Sequence, residues 1–297
     1  MTGVVTVRAL AAGDLAAAGD LCERLRAADP AVEPFAQRLP ILAEGPRALL
    51  DLWRAAHGED GALHGIAFAA VRESRTPEGA ERPIADVYAA VAPELRRQGL
   101  GRALCGPALE WAAVHGATLR ARVREDALPG QVFLRALGFR ETSAQLSLRW
   151  SPRPVEAPAM PALRIKPLGP GQAVRELERL SREAWAGAPD TFATRSDEVA
   201  QLFGEEGRLV LLAEVERRAV GYLSGVRLGR TLGIEEVAVL PEFRQMGIGR
   251  ALLAAALEGT AHAVLSVAES NRPARALYRS LGFSVSARRL VHELRRG

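Results

Sequence analysis

One segment of this chain is written twice. Val91-Ala92-Pro93-Glu94-Leu95-Arg96-Arg97-Gln98-Gly99-Leu100-Gly101-Arg102-Ala103-Leu104 returns, position by position, at residues 239–252. A second echo follows each copy: Leu134-Arg135-Ala136-Leu137-Gly138-Phe139 matches residues 278–283. The halves also open on similar stretches, 5–10 and 163–168, and close on alternating ones, near 145–150 and 289–294. Between them, residues 151–161 hold four prolines and little that could pack, the composition of an extended tether. The organisation this predicts is one domain at 1–150, a linker at 151–161 and a second domain at 162–297, a fair division of a 297-residue chain.

In the second copy, residues 235–240 form a short apolar run that Pro241 should end. From Ile248 on, Leu252, Leu253, Ala256 and Leu257 recur at helical spacing. Between strand and helix lies Arg244-x-x-Gly247-x-Gly249, where missing Cβ atoms allow a sharp turn and close approach by a ligand. The first amides of the helix have no intrahelical partner, so such a turn suits a phosphate. It is not a Walker loop, which needs a Lys that nothing supplies here, nor a dinucleotide loop, whose third small residue is replaced by Leu252. Downstream, residues 263–267 read as a strand, and Asn271 and Pro273 open a helix. Ala274, Leu277, Tyr278 and Leu281 line its apolar face and Gly282 closes it.

Arg/Gln-x-x-Gly-x-Gly/Ala followed by Asn, Leu-Tyr and Gly-Phe resembles the paired signatures of the GNAT acetyltransferase superfamily. The resemblance covers nearly the whole chain as a tandem arrangement, similar in plan to the mycothiol synthases. It implies an α/β fold, a mixed sheet flanked by helices in each of two GNAT acyl-CoA N-acyltransferase domains, with splayed central strands. It implies acetyl-CoA as donor and an amine, of a small molecule or a peptide, as acceptor.

Moving an acetyl group from a thioester to an amine requires a neutral amine, an oxyanion site and a proton for the departing thiolate. Strand alternation puts Glu235 on the face of Val237 and Val239, with Glu236 opposite. The resemblance assigns Glu235 as base, directly or through water, and Tyr278 as acid. It assigns the main chain of Val237, Ala238 and Val239 to the cofactor's amide groups, and Asn271 to the pantetheine or its support. Gln245, Met246, Gly247, Ile248, Gly249 and Arg250 are expected at the pyrophosphate, with Arg244 and Arg250 adding charge. In the first half the cofactor-binding set is intact: Val91, Arg96, Arg97, Gln98, Gly99, Leu100, Gly101 and Arg102. Yet Leu134 stands at the place of Tyr278, Ala127 at that of Asn271 and Val87 at that of Glu235. The N-terminal domain is therefore expected to bind CoA without turnover, or only to pack. Asp86 and Tyr88 are neighbours that could substitute. Trp185, Asp190, Phe192 and Arg195 are candidate acceptor contacts. A CoA-binding sensor or scaffold is the alternative reading.

Other classes fit less well. The net charge is +4, but Arg alternates with acidic residues and Lys166 is the lone Lys, a pattern of solvated surface rather than a nucleic-acid face. Cys22 and Cys105 are too few for a disulfide framework, and the five His form no metal-type pair. No run suits a membrane helix or a signal peptide, so the expectation is a cytoplasmic, metal-free protein, monomer or homodimer. Residues 72–83 are expected to form a polar loop.

Overall fold

Packing divides the chain into two units whose membership is not that of the two sequence halves. One comprises Met1–Ser143 with Leu290–Gly297, the other Ala144–Arg289. The computed structural model describes residues 4–28, 39, 43, 48–75, 81–156, 158, 160–169, 172–186 and 207–295.

The first unit carries β1 (Thr6–Ala9), α1 (Ala12–Ala28), β2 (Arg54–His57), β3 (Leu63–Arg75), β4 (Glu81–Val91), α2 (Leu100–His115), β5 (Thr118–Arg124) and α3 (Leu128–Ala136). Its strands lie in the order β1-β2-β3-β4-β5, and the next neighbour is β12 (Ser284–Arg295), from the far end of the chain. The second unit carries β7 (Leu163–Pro167), α4 (Val174–Trp185), β8 (Arg208–Val215), β9 (Arg218–Leu228), β10 (Thr231–Val239), α5 (Ile248–Leu257), β11 (His262–Ala268) and α6 (Arg272–Ser280). Here the order is β6-β11-β10-β9-β8-β7, with β6 (Arg140–Trp150) supplied by the first half. Each repeat was expected to close on its own alternating strand. Instead the closing strands are exchanged.

Side-chain burial explains the attachment. Leu146, Leu148 and Trp150 of β6 alternate into the same core as Leu265 and Val267 of β11, and the Trp150 indole donates to the Leu281 carbonyl at 3.0 Å. At the end of β12, Leu294 joins the core of Leu134, Leu137 and Phe139. Glu293 meets Arg120 of β5 in a buried ion pair at 2.9 Å.

Helices cover both faces of each sheet, so both faces of the central strands are apolar. In the second unit α5 and α6 pack on one face with Leu232, Ile234, Val237 and Val239, while α4 covers the other with Val210, Leu212, Tyr222, Ala238 and Leu240. The hairpin of β3 and β4 corrects one expectation. Most of the supposed polar loop continues the ladder, Arg72 opposite Ile84 and Arg75 opposite Glu81. Backbone pairing at a hairpin's end asks little of side-chain polarity. Residues 76–80 lie outside the described set.

Candidate active site

The two glycine loops have one backbone. After β10 comes a 3-10 turn, Pro241–Phe243, then Arg244 in extended conformation, Gln245 at φ 64°, Gly247 at φ 89° and the first turn of α5. After β4 comes Pro93–Leu95, then extended Arg96, Arg97 at φ 67°, Gly99 at φ 82° and the first turn of α2. Left-handed residues just before a helix turn successive N–H groups toward one side, an anion-binding concavity. Gly247 and Gly99 occupy the left-handed N-cap position, where a side chain would be strained.

Each loop is fed by a strand that has left its parallel neighbour. Pairing of β10 with β11 stops at Ile234–Leu265, and pairing of β4 with β5 stops at Asp86–Arg120. Beyond those points Val237, Ala238 and Val239 pair only with β9 among the described residues, as Val91 pairs only with β3. Their other edges have no ladder partner among the described residues, as the splayed-strand expectation requires.

The loop arginines are hydrogen-bonded to the protein. Arg244 donates from Nε to the Val239 carbonyl at 3.1 Å and from Nη2 to Ala184 at 2.7 Å. Arg96 repeats the first bond, to Val91 at 3.0 Å. Arg250 reaches Ser280 Oγ at 3.1 Å and the Glu156 carbonyl at 2.9 Å. These guanidiniums shape the loop as well as bringing charge to it.

The carboxylates differ from the alternation reading. A bulge between Ile234 and Glu236 inserts one residue into β10 against β9, so the face of every residue cannot be counted back from Val239. Glu235 does not share the face of Val237 and Val239. It pairs with Arg208, whose side chain is nearly buried and whose strand neighbours Val210 and Leu212 belong to the α4 face. Glu236 is on that face too, accepting from the Tyr222 hydroxyl at 2.7 Å. Burial first, then the Glu236 charge, push the Tyr222 phenol far above its ordinary range, so it is a donor at neutral pH. Tyr222 and Arg208 were missed in the sequence because they stand in strands that read only as hairpin. Cross-strand proximity to a bulge leaves no local signal.

Tyr278 lies 8% exposed on α6, edge-on to Phe283 at 5.6 Å. Burial raises its phenol to about 12, so the proton stays in place at neutral pH. Asn271 is the N-cap of α6: its Oδ1 accepts from the Ala274 amide at 3.2 Å. That is the supporting part of its expected role, and the oxygen is committed to it. Trp185 is partly buried against the α4 core beside the Tyr222 hydroxyl. Asp190, Phe192 and Arg195 lie outside the described residues.

In the first unit the corresponding ground is filled differently. β4 has no bulge, and its register with β3 is unbroken from Val91 to Glu81. Tyr88 stacks on Phe68 at 4.9 Å, and Phe68 meets Trp53 at 5.5 Å. Asp86 is paired with Arg122 at 3.0 Å. Ring atoms of Phe133 lie 3.0 Å from where a Cβ on Gly101 would sit, whereas Gly249 faces Leu277 at 3.3 Å.

Comparison with known proteins agrees in both halves. The family model described as Acetyltransferase (GNAT) family matches residues 43–139 and 173–283. A mycothiol acetyltransferase of Thermobifida fusca (strain YX) is 30% identical, with 96% of each chain covered. One of Clavibacter michiganensis subsp. michiganensis is 29% identical over 90% of this chain and 87% of its own. Among solved structures, a tandem GNAT protein from the clavulanic acid biosynthesis pathway matches with TM-score 0.75 at 22% identity, over 99% of both chains. A GCN5-related N-acetyltransferase from Sphaerobacter thermophilus matches with TM-score 0.72 at 22% identity, over 99% of this chain and 96% of that one.

Proposed function

The chain belongs to the GNAT family of N-acetyltransferases, and we propose that it moves an acetyl group from acetyl-CoA to an amine at its second unit. The observation that carries this reading is the open edge of Val237–Val239 running straight into the two-glycine loop, with Tyr278 on the helix that follows β11. The donor fits this ground. The backbone of 245–250 offers N–H groups to a pyrophosphate, and the strand edge away from β9 can pair with amides of an extended arm.

Acetyl-CoA supplies an activated acyl carbon; the amine nitrogen forms the new C–N bond as the C–S bond breaks. Glu235 takes the proton from the ammonium, directly or through a water, because only the free base is nucleophilic. Its pairing with the nearly buried Arg208 holds the carboxylate in place. Tyr278 keeps its phenol proton to high pH and gives it to the thiolate, and the proton that the nitrogen sheds on becoming an amide restores the phenol. Glu236 is a second reading for the base, favoured by its hydrogen bond from Tyr222.

The first unit is proposed to hold CoA without turnover. It keeps the loop backbone, while Val87, Leu134 and the Trp53–Phe68–Tyr88 stack leave it no acid–base pair. The mycothiol acetyltransferases among the relatives make an acceptor of the kind they use the first to try.

The test is acetyl-CoA turnover with a panel of amines, in wild type, Glu235→Gln and Glu236→Gln. A drop of about 10²-fold or more confined to Glu235→Gln supports that base. A drop confined to Glu236→Gln transfers the role. An equal, full rate in both removes base catalysis by this pair.

A further inference from the structure

The linker belongs to the second unit, and its described residues lie on the donor loop. Pro158 brings its ring to within 3.0 Å of where a Cβ on Gly247 would sit, and Met160 Sδ to within 3.8 Å. The Glu156 carbonyl accepts from Arg250 Nε at 2.9 Å. Earlier in the linker, the side chain of Arg153 covers Gly282 at the end of α6. Val155 and Met160 also pack, partly buried, against the core of α5 and β7.

The first unit supplies the control. Around Gly99, at the place of Gly247, no described residue comes within 4 Å of a would-be Cβ. Arg102, at the place of Arg250, makes the bond to the last helix, donating to the Ala136 carbonyl at 3.1 Å. Arg250 makes the same kind of bond, to Ser280 at the end of α6, and adds the one to the linker. The latch between loop helix and last helix is thus common to both units. The strap is particular to the second.

We propose that linker residues 153–156, 158 and 160 are a working strap of the second donor loop: the Glu156 carbonyl and the Pro158 ring position Arg250 and Gly247 for the phosphates of CoA. The inference rests on the donor reading above. An arginine already fixed by a backbone acceptor binds with less loss of side-chain freedom than a mobile one. A proline pressed on the N-cap residue likewise limits the motions of the loop amides. Glu156 and Pro158 are positioning residues and touch no reacting atom.

Two full-length variants test it: Pro158→Gly, and replacement of 153–160 by Gly and Ser residues at equal length. CoA and, separately, inorganic pyrophosphate are titrated into each by calorimetry, and amide exchange along 153–160 is followed with and without CoA. The expected result is one binding event weakened by about tenfold or more for both probes. Any second event should be unchanged, and exchange of the wild-type linker amides should slow when CoA is added. Circular dichroism and the melting temperature identify loss of fold; the milder variant and the wild-type exchange measurement are then read. Wild-type affinity in folded Pro158→Gly, or linker exchange indifferent to saturating CoA, overturns the strap alone. Failure of the wild type to bind CoA overturns the donor reading with it.

Discussion

The two units present the same loop to different surroundings. Arg97 and Gln245, and Gly99 and Gly247, share left-handed backbone, and Arg96 and Arg244 bond back to equivalent strand carbonyls. Around the second loop stand a bulge with two carboxylates, a buried phenol and a linker strap. Around the first stand an unbroken strand pair, a leucine and an aromatic stack. The comparison teaches that a phosphate loop is a backbone property that survives changes of side chain. The acid–base chemistry proposed for the second unit depends on a few side chains, and the first unit has others at the matching positions.

The largest expected effect comes from cutting between the units' sequences. Residues 1–150 alone lack β12, and 162–297 alone lack β6. Leu146, Leu148 and Trp150 each bury a side chain worth about 1.5–3 kcal/mol, a sum comparable to a whole domain's stability of about 5–15 kcal/mol. Neither fragment should show a cooperative melt by circular dichroism, and mixing them should restore one. A fragment that melts like the intact chain would break the exchange account.

Next is the ion pair that joins β12 to β5. Glu293→Ala leaves Arg120 buried without its carboxylate and should cost about 3–5 kcal/mol in denaturant unfolding. Turnover per folded molecule should persist, because this pair belongs to the first unit. Tyr278→Phe reverses the pattern: stability nearly kept and turnover down about 10²-fold. Tyr88→Phe should leave turnover as it was. In the wild type, phenol ionisation should not limit rate until pH nears 12. Above the ordinary phenol value of about 10 the unfolded chain gives up this proton while the folded one keeps it. The Tyr278 contribution is therefore full below pH 10 and lost as pH rises through about 12. The smallest effect concerns the caps. Asn271→Ala should cost about 1 kcal/mol, and Ala127→Asn, at the uncapped start of α3, should gain a similar or smaller amount.

Much of this was legible in the sequence. The strand's end before Pro241, the helix from Ile248 and the Gly282 cap follow from local chemistry and recur in the structure within a residue or two, although the strand begins four residues earlier, at Thr231. The exchange of β6 and β12 was not, because Leu146-x-Leu148-x-Trp150 and Leu290-x-His292-x-Leu294 alternate alike and suit either neighbour. The face of Glu235 was misread because one inserted residue reverses a period of two while leaving composition untouched, whereas Glu236 stands opposite Val237 and Val239 as alternation says. The linker's prolines suggested an extended tether. Nothing in their spacing says that Pro158 lands on Gly247.

The central claim is that both loops keep the donor geometry and only the second serves transfer. Its most direct test is thiol release from acetyl-CoA, with an accepted amine, in Gly249→Val and Gly101→Val side by side. Each valine drives a branched side chain against the last helix of its unit, Leu277 beside Gly249 and Phe133 beside Gly101, and so displaces the helix start that presents the loop amides. The account predicts turnover at background for folded Gly249→Val and near wild type for folded Gly101→Val. Loss with Gly101→Val and retention with Gly249→Val would contradict it.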